Sequence, residues 1–290
     1  MAKKKKKSFK KILSLCAVII AAVFYLFPEA KHYPVYVWYE LDELLFASSR
    51  NYDNLNDGTP AGHDLRIINR EGYAFGYSAQ HKQSLWVTWL LTKEEVLNKH
   101  VARTDDFRRD PRILFGSQLP EDYKQSGYDR GHLAPAADMG WDKTVMSESF
   151  YMSNMIPQTP ELNRGRWLDL ENVERALAEQ YGSLRIIAGP VFRKNDTIKT
   201  IGDNQISVPH DCYKIFFVPE KKIMIAFIMP NEKPQKKLVK YAVSVDEIEQ
   251  LTGLDFFPHL PEEEQKRMES NCDPDVWNLQ NICETLQKNP

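Results

Sequence analysis

The chain lacks a Cys-x-x-Cys pair and any histidine–cysteine spacing of the zinc-binding kind, which excludes a zinc-organised fold. It has no internal repeat, and its one low-complexity tract is a run of lysines at the start, so solenoid and fibrous architectures are excluded as well. Basic excess is also missing from the body. Seven of the 38 basic residues (Lys3 to Lys7, Lys10 and Lys11) fall in the first eleven positions, whereas all 40 acids lie beyond them. The remainder carries 31 basic against 40 acidic residues, a net of −9. A protein that grips nucleic acid through bulk charge shows a basic footprint; here any cationic site must be local. What is present is an ordinary globular composition, 42% hydrophobic and 27% charged over 290 residues, enough for a sizeable core.

Cysteines are few. Cys16 sits early in an apolar run rather than at its end, which argues against a lipid-modified cysteine. Cys272 and Cys283 would close a short loop if the domain is exported, leaving Cys212 as a small buried hydrophobe.

The lysine-rich residues 1–11 precede an uncharged stretch, ILSLCAVIIAAVFYLF, at 12–27. Its sixteen residues lie between a signal-peptide core and a spanning helix, so a retained transmembrane signal-anchor and a cleaved signal both fit. Pro28-Glu29-Ala30 is a poor cleavage site, which favours the anchor. The lysines stay on the cytoplasmic side and the rest is exported. Residues 28–58 read as an aromatic juxtamembrane connector ending at Asn56-Asp57-Gly58, residues 59–262 as the main domain, and 263–290 as a polar tail with little core-forming pattern.

Within the main domain the spacing predicts strands over 65–69, 73–78, 85–91, 184–191, 214–218 and 223–229. A long helix is expected over 161–181, with Leu170, Val173, Leu177 and Tyr181 on one face and Gly182 as terminator. A second, over 245–251, is capped by Ser244 with Glu247 three residues on.

The chemistry concentrates in Tyr128-Asp129-Arg130-Gly131-His132 and in Asn154, Gln158, Asn163 and Glu171. A lone histidine is more often packed than catalytic, but His132 follows a glycine and needs little adjustment to act as a base near neutral pH. If the segment is extended, alternation puts Arg130 on the same face, where its planar fork suits a phosphate. In a regular helix Asn163 and Glu171, eight residues apart, are separated by about 80° and view one surface. An amide oxygen is a hard ligand, and Mg²⁺ keeps several waters, so a site with very few protein ligands is sensible. Taken singly, Asn163 is as well explained as a first-turn cap, and Asn154 and Gln158 as turn residues. Arg103 is one of nine basic residues between 101 and 170, so nothing in the residues alone selects it.

The strings YDRGHLAPAADM (128–139) and NMIPQTPELNRGRWLDLE (154–171) resemble the DNA/RNA non-specific endonucleases, the ββα-metal nucleases that include endonuclease G-like enzymes. LTKEEV, ARTDDF, IIAGPVF, VPHDCYKIFF and AFIMPN extend the likeness over about residues 60 to 261. It implies an α+β fold with a mixed, mainly antiparallel sheet and a ββα-metal motif. It implies His132 as general base, Asn163 as the protein ligand of Mg²⁺ (Mn²⁺ or another divalent ion being an alternative), and Glu171 ordering the ion's water. Arg130 and Arg103 would stabilise charge at the phosphate, Arg103 would also bind substrate, and Asn154 and Gln158 would bind substrate or order the site. DNA and RNA are then the substrates, and a bacterial inner or plasma membrane holds the anchor with the catalytic domain outside. The rival expectations are a phosphodiesterase acting on another exported phosphate ester, which the −9 body favours, and a non-catalytic nucleic-acid-binding module.

Overall fold

The computed structural model describes residues 52–288 apart from 57, 58, 114, 115 and 195. The transmembrane helix or signal expected at 12–27, and most of the connector, lie outside the described residues. Among these, no helix is long and apolar enough to cross a membrane.

The elements run β1 (Arg66–Asn69), β2 (Ala74–Ser78), β3 (Gln83–Thr92), α1 (Lys93–Leu97), β4 (Asp129–His132), α2 (Lys143–Glu148) and β5 (Met155–Gln158). After an irregular helical turn come α3 (Leu168–Tyr181), β6 (Ser183–Val191), β7 (Thr200–Ile201), β8 (Ile206–Ser207), β9 (Asp211–Val218) and β10 (Ile223–Pro230). The chain closes with β11 (Ala242–Val243), α4 (Val245–Thr252), α5 (Glu262–Glu269) and α6 (Leu279–Lys288). Seven strands form one sheet in the order β1-β2-β3-β6-β9-β10-β11. Every pairing between them is antiparallel, which sharpens the expected mixed sheet into a purely antiparallel one.

Both faces of this sheet are buried, so its central strands read as continuous apolar runs rather than alternating ones. β9 shows how one strand serves two layers: Cys212, Phe216 and Val218 enter one core, while Tyr213, Ile215 and Phe217 enter the other. The first core is covered by α3, which buries Leu170, Val173 and Leu177, and by the small hairpin β4–β5. The second is covered by α4 and α5 through Val245, Ile248 and Met268. α1 is entered through a capping box in which the Glu95 amide donates to Thr92 and the Thr92 amide donates to the Glu95 carboxylate at 2.8 Å.

Three expectations change. The helix expected over 161–181 is regular only from Leu168: Leu162–Trp167 is wound more widely, and Gly165 (φ −114°, ψ −112°) leaves the helical region. Glycine tolerates that departure, and the adjoining Asn163 and Arg164 are tied outward to Asp129 on β4. The tail is not featureless. Met268, Trp277 and Leu279 are fully buried, with Trp277 edge-on to Tyr181 of α3 at 5.8 Å. Trp277 and a short helical stripe of Leu279, Ile282, Cys283 and Leu286 on α6 attach it to the first core. At the other end, the connector's last residues already pack into the domain: Asn54 donates to the carbonyls of Arg70 and Glu71. Finally, Cys272 and Cys283 are both free thiols. Cys283 packs against the first core, while Cys272 is exposed, and no bridge joins them.

Candidate active site

β4 and β5 pair antiparallel with Asp129 opposite Gln158 and His132 opposite Met155, and the chain then passes through the irregular turn into α3. The result is a ββα unit lying on the first core. Because β4 is extended, Arg130 and His132 do share a face, and Phe107 lies against both. The Arg130 guanidinium sits 3.9 Å from the Phe107 ring centroid, and the His132 ring is 5.7 Å from it. Gly131, between them, faces the other way onto Gln158, and a Cβ at this position would collide with that side chain.

His132 packs between Phe107 and Phe150. It is 8% exposed, edge-on to Phe150 at 5.1 Å, and its carbonyl accepts from the Trp167 indole at 3.1 Å. Its Nε2 is buried with no hydrogen-bond partner in the protein. Such an atom is expensive to leave unmet, so it marks the place of a water or a ligand. Burial, with Arg103 and Arg130 adding to it, lowers the imidazole pKa to about 3, and the ring is neutral at pH 7.

Arg103 and Arg130 line an open cleft of about 560 Å³ together with Phe107, Tyr128, Asp129 and Asn163. Arg103 is half exposed; it pairs with Asp105 at 2.7 Å and its guanidinium lies 4.8 Å from the Phe150 ring centroid. Two arginines therefore frame the histidine from the solvent side, a local cationic spot on an acidic body.

Asn163 donates from Nδ2 to Asp129 Oδ2 at 3.0 Å, and Arg164 grips the same carboxylate with two bonds of 2.8 and 2.7 Å. Partial burial opposes ionisation of Asp129, but the bonds from Arg164 and Asn163 outweigh it and hold the carboxyl below its ordinary value. With Nδ2 committed, the amide oxygen of Asn163 is the atom left to face a ligand. Asp129 was within the motif string yet had no role assigned; its position directly before Arg130 was the available signal.

Glu171, half-buried on α3, is raised to about 7 by desolvation, against the pull of Lys214 and Arg175. Beneath it is a charged layer invisible in the sequence pattern. Lys214 of β9 is fully buried and pairs with the equally buried Glu174 at 2.6 Å, its ammonium 4.8 Å from the Trp167 ring centroid. Arg175 pairs with Asp138 at 2.9 Å, and the Trp89 indole donates to the other Asp138 oxygen.

Asn154 and Gln158 lie elsewhere than expected for residues that touch substrate. Both are fully buried. Asn154 donates to the carbonyls of Ala134 and Ser149 and accepts from the Ala134 amide, pinning the turn that follows His132. Gln158 fills the space under Gly131. They position the hairpin and present no atom to the cleft.

The donor set suits a hard divalent ion. It comprises an oriented amide oxygen and the carboxylate of Glu171, with no thiolate offered for zinc.

The model of the DNA/RNA non-specific endonuclease family matches residues 50–263. The mitochondrial nuclease of Saccharomyces cerevisiae is 34% identical over 72% of this chain and 71% of its own length. Human mitochondrial endonuclease G is 31% identical over 67% of this chain and 70% of its own, and a nuclease of Nostoc sp. is 34% identical over 72% and 80%. Among solved structures, a chain of the EndoG/EndoGI complex superposes with a TM-score of 0.65 at 28% identity, covering 70% of this chain and 90% of that one. The ββα unit on an antiparallel sheet, with its histidine packed beside a cleft lined by two arginines, is consistent with the nucleases it resembles. The chain belongs to the DNA/RNA non-specific endonuclease family and is a nucleic-acid-hydrolysing enzyme.

Proposed function

We propose that the protein is a Mg²⁺-dependent endonuclease that cuts DNA and RNA with little regard to sequence. The observation that carries this reading is the buried, unpartnered Nε2 of His132, whose ring packs against Phe107, a residue of the cleft that Arg103 and Arg130 line. Asn163 would hold the ion through its amide oxygen, with Glu171 accepting hydrogen bonds from its waters. Bound there, Mg²⁺ would supply positive charge beside the phosphate and the departing 3′ oxygen.

His132 accepts the proton of the water that attacks phosphorus. Its low pKa in the free protein keeps the base unprotonated at neutral pH, yet makes it weak. Burial is the larger cause of that depression; a phosphate seated between Arg103 and Arg130 offsets the part that the two cations add, so substrate binding itself strengthens the base. Contacts to phosphate rather than to base edges account for low sequence preference. Asn154 and Gln158 act by positioning.

The apolar run at 12–27 behind seven lysines supports export, with the catalytic domain anchored outside the cytoplasmic face or released if the run is cleaved. Protease accessibility of the domain in intact cells tests this; protection would refute it.

The activity test is cleavage of plasmid and RNA in Mg²⁺, with and without EDTA, beside His132→Ala. Undiminished cleavage by the variant would remove His132 as the base, and undiminished cleavage in EDTA would remove the ion.

A further inference from the structure

We propose that Asp246, Glu249 and Glu269 form a second, structural cation site, which takes a hard divalent ion of the calcium class and clips α4 to the end of α5. Asp246 and Glu249, three residues apart, share one face of α4, and Glu269 is the last residue of α5. One carboxylate oxygen from each lies within 4.8 Å of the others. Three negative groups this close repel, and none of them is in an ion pair among the described residues.

A separate observation points to a ligand. Glu269 is 4% exposed, and its Oε1 is buried with no hydrogen-bond partner. A buried carboxylate is ordinarily paired or coordinated. Asp255 adds a further negative charge, and no cation is among the groups acting on Glu269, whose carboxyl is displaced upward to about 8 by burial and by these neighbours. Gln265 is the one group that favours its ionised form. A cation at the centre of the three oxygens would satisfy all of these at once.

The donors are all oxygen, which selects a hard ion over zinc or copper. Asp246 and Glu249 are half-buried, so water can complete the shell. Carboxylates on two separate helices suit the larger, geometrically tolerant Ca²⁺ better than Mg²⁺, which demands a near-ideal octahedron. The site lies on the α4–α5 side of the sheet, opposite the ββα unit, so its effect is on stability and not on cleavage.

The test uses the full chain carrying Asn163→Ala, which removes the proposed catalytic ligand, and follows thermal unfolding and calorimetric titration with CaCl₂ and, separately, MgCl₂. Ca²⁺ is expected to raise Tm with a midpoint on the order of 0.1–1 mM, the range of weak carboxylate sites. Asp246→Asn, whose side chain makes no other bond in this cluster, is expected to weaken the midpoint at least about tenfold. No Ca²⁺ response, a response to Mg²⁺ alone, or an Asp246→Asn midpoint equal to its parent would each overturn the proposal. So would Glu269→Gln matching the Ca²⁺-loaded Tm without any ion while the parent ignores Ca²⁺, since that outcome identifies a protonated carboxyl.

Discussion

Along β9 the side chains alternate between two layers, and the layers differ in what they accept. Under the ββα unit, Lys214 is fully buried with Glu174, and Asp138, Arg175, Glu171 and His132 lie in the same layer. On the opposite side Tyr213, Ile215 and Phe217 pack mainly against apolar groups, such as Phe256 and Phe257 from the segment between α4 and α5, and the one buried charge paired across from them is Arg185, opposite Phe217. The unpaired acids of that side are pushed to the outer rim, between the helices. Apolar packing is sufficient to hold a sheet, so the buried charge of the first layer is not a stability device. Buried ion pairs roughly break even against apolar replacements. Under the proposed function the charged layer supplies the fixed electrostatic setting of His132 and Glu171.

Breaking the chemistry of the charged side should give the largest effect. His132→Ala is expected to lower cleavage by about 10²–10⁴-fold, the usual contribution of a positioned general base, with the far-ultraviolet circular dichroism unchanged; retained activity would show that the layer serves something else. Breaking the charge pair itself comes next. Lys214→Met should destabilise the domain by about 3–5 kcal/mol in urea unfolding because it strands Glu174, whereas Lys214→Met with Glu174→Leu should recover most of that loss. If the double variant is no better than the single one, the pair is not acting as a unit.

On the apolar side a comparable position should be gentler. Ile215→Val is expected to cost about 0.5–1.5 kcal/mol, a methylene's worth of core, with cleavage unaltered. A loss of activity there would break the division between the two layers.

A smaller effect separates the layers by pH. His132 has its folded pKa lowered from 6.5 to about 3, so between those values the unfolded chain binds more protons and stability rises with pH. Glu171 is raised from 4.5 to about 7, so in that window the folded chain binds more protons and stability falls as pH rises. In metal-free buffer the two slopes oppose each other between pH 4.5 and 6.5. Glu269, raised to about 8, adds a falling slope over the same interval, so Glu171→Gln should make the slope of stability against pH more positive than the parent's by about one proton's worth, measured by urea midpoints. A slope equal to the parent's would mean that Glu171 is not held protonated by its surroundings.

Much of the sheet was readable. Strands over 66–69, 74–78, 183–191 and 223–230 match runs rich in β-branched and aromatic residues bounded by turn signals. The hairpin β4–β5 was less so, because its four-residue strands contain Gly131 and Pro157, which weaken any strand signal. The break before α3 was hidden for another reason: Gly165 reads as a tolerated helical glycine until Asp129 is seen holding Asn163 and Arg164. For the site, extended geometry and alternation joined Arg130 to His132. The roles of Asn154 and Gln158 could not be read, since a buried amide and an exposed one look alike in a sequence.

By itself the sequence determined the candidate reacting groups: a histidine two residues from an arginine, an amide and a carboxylate in the segment that follows, and a motif order peculiar to one family. Local spacing suffices there, because alternation along a strand acts over a few residues. The tertiary structure alone decided which polar groups face the cleft and which are buried beneath it. It made His132 neutral, left its Nε2 without a partner, and set Lys214 of β9 under Glu171 of α3. Those outcomes depend on desolvation and on charges brought together from distant parts of the chain, and neither is a property of any short stretch of residues.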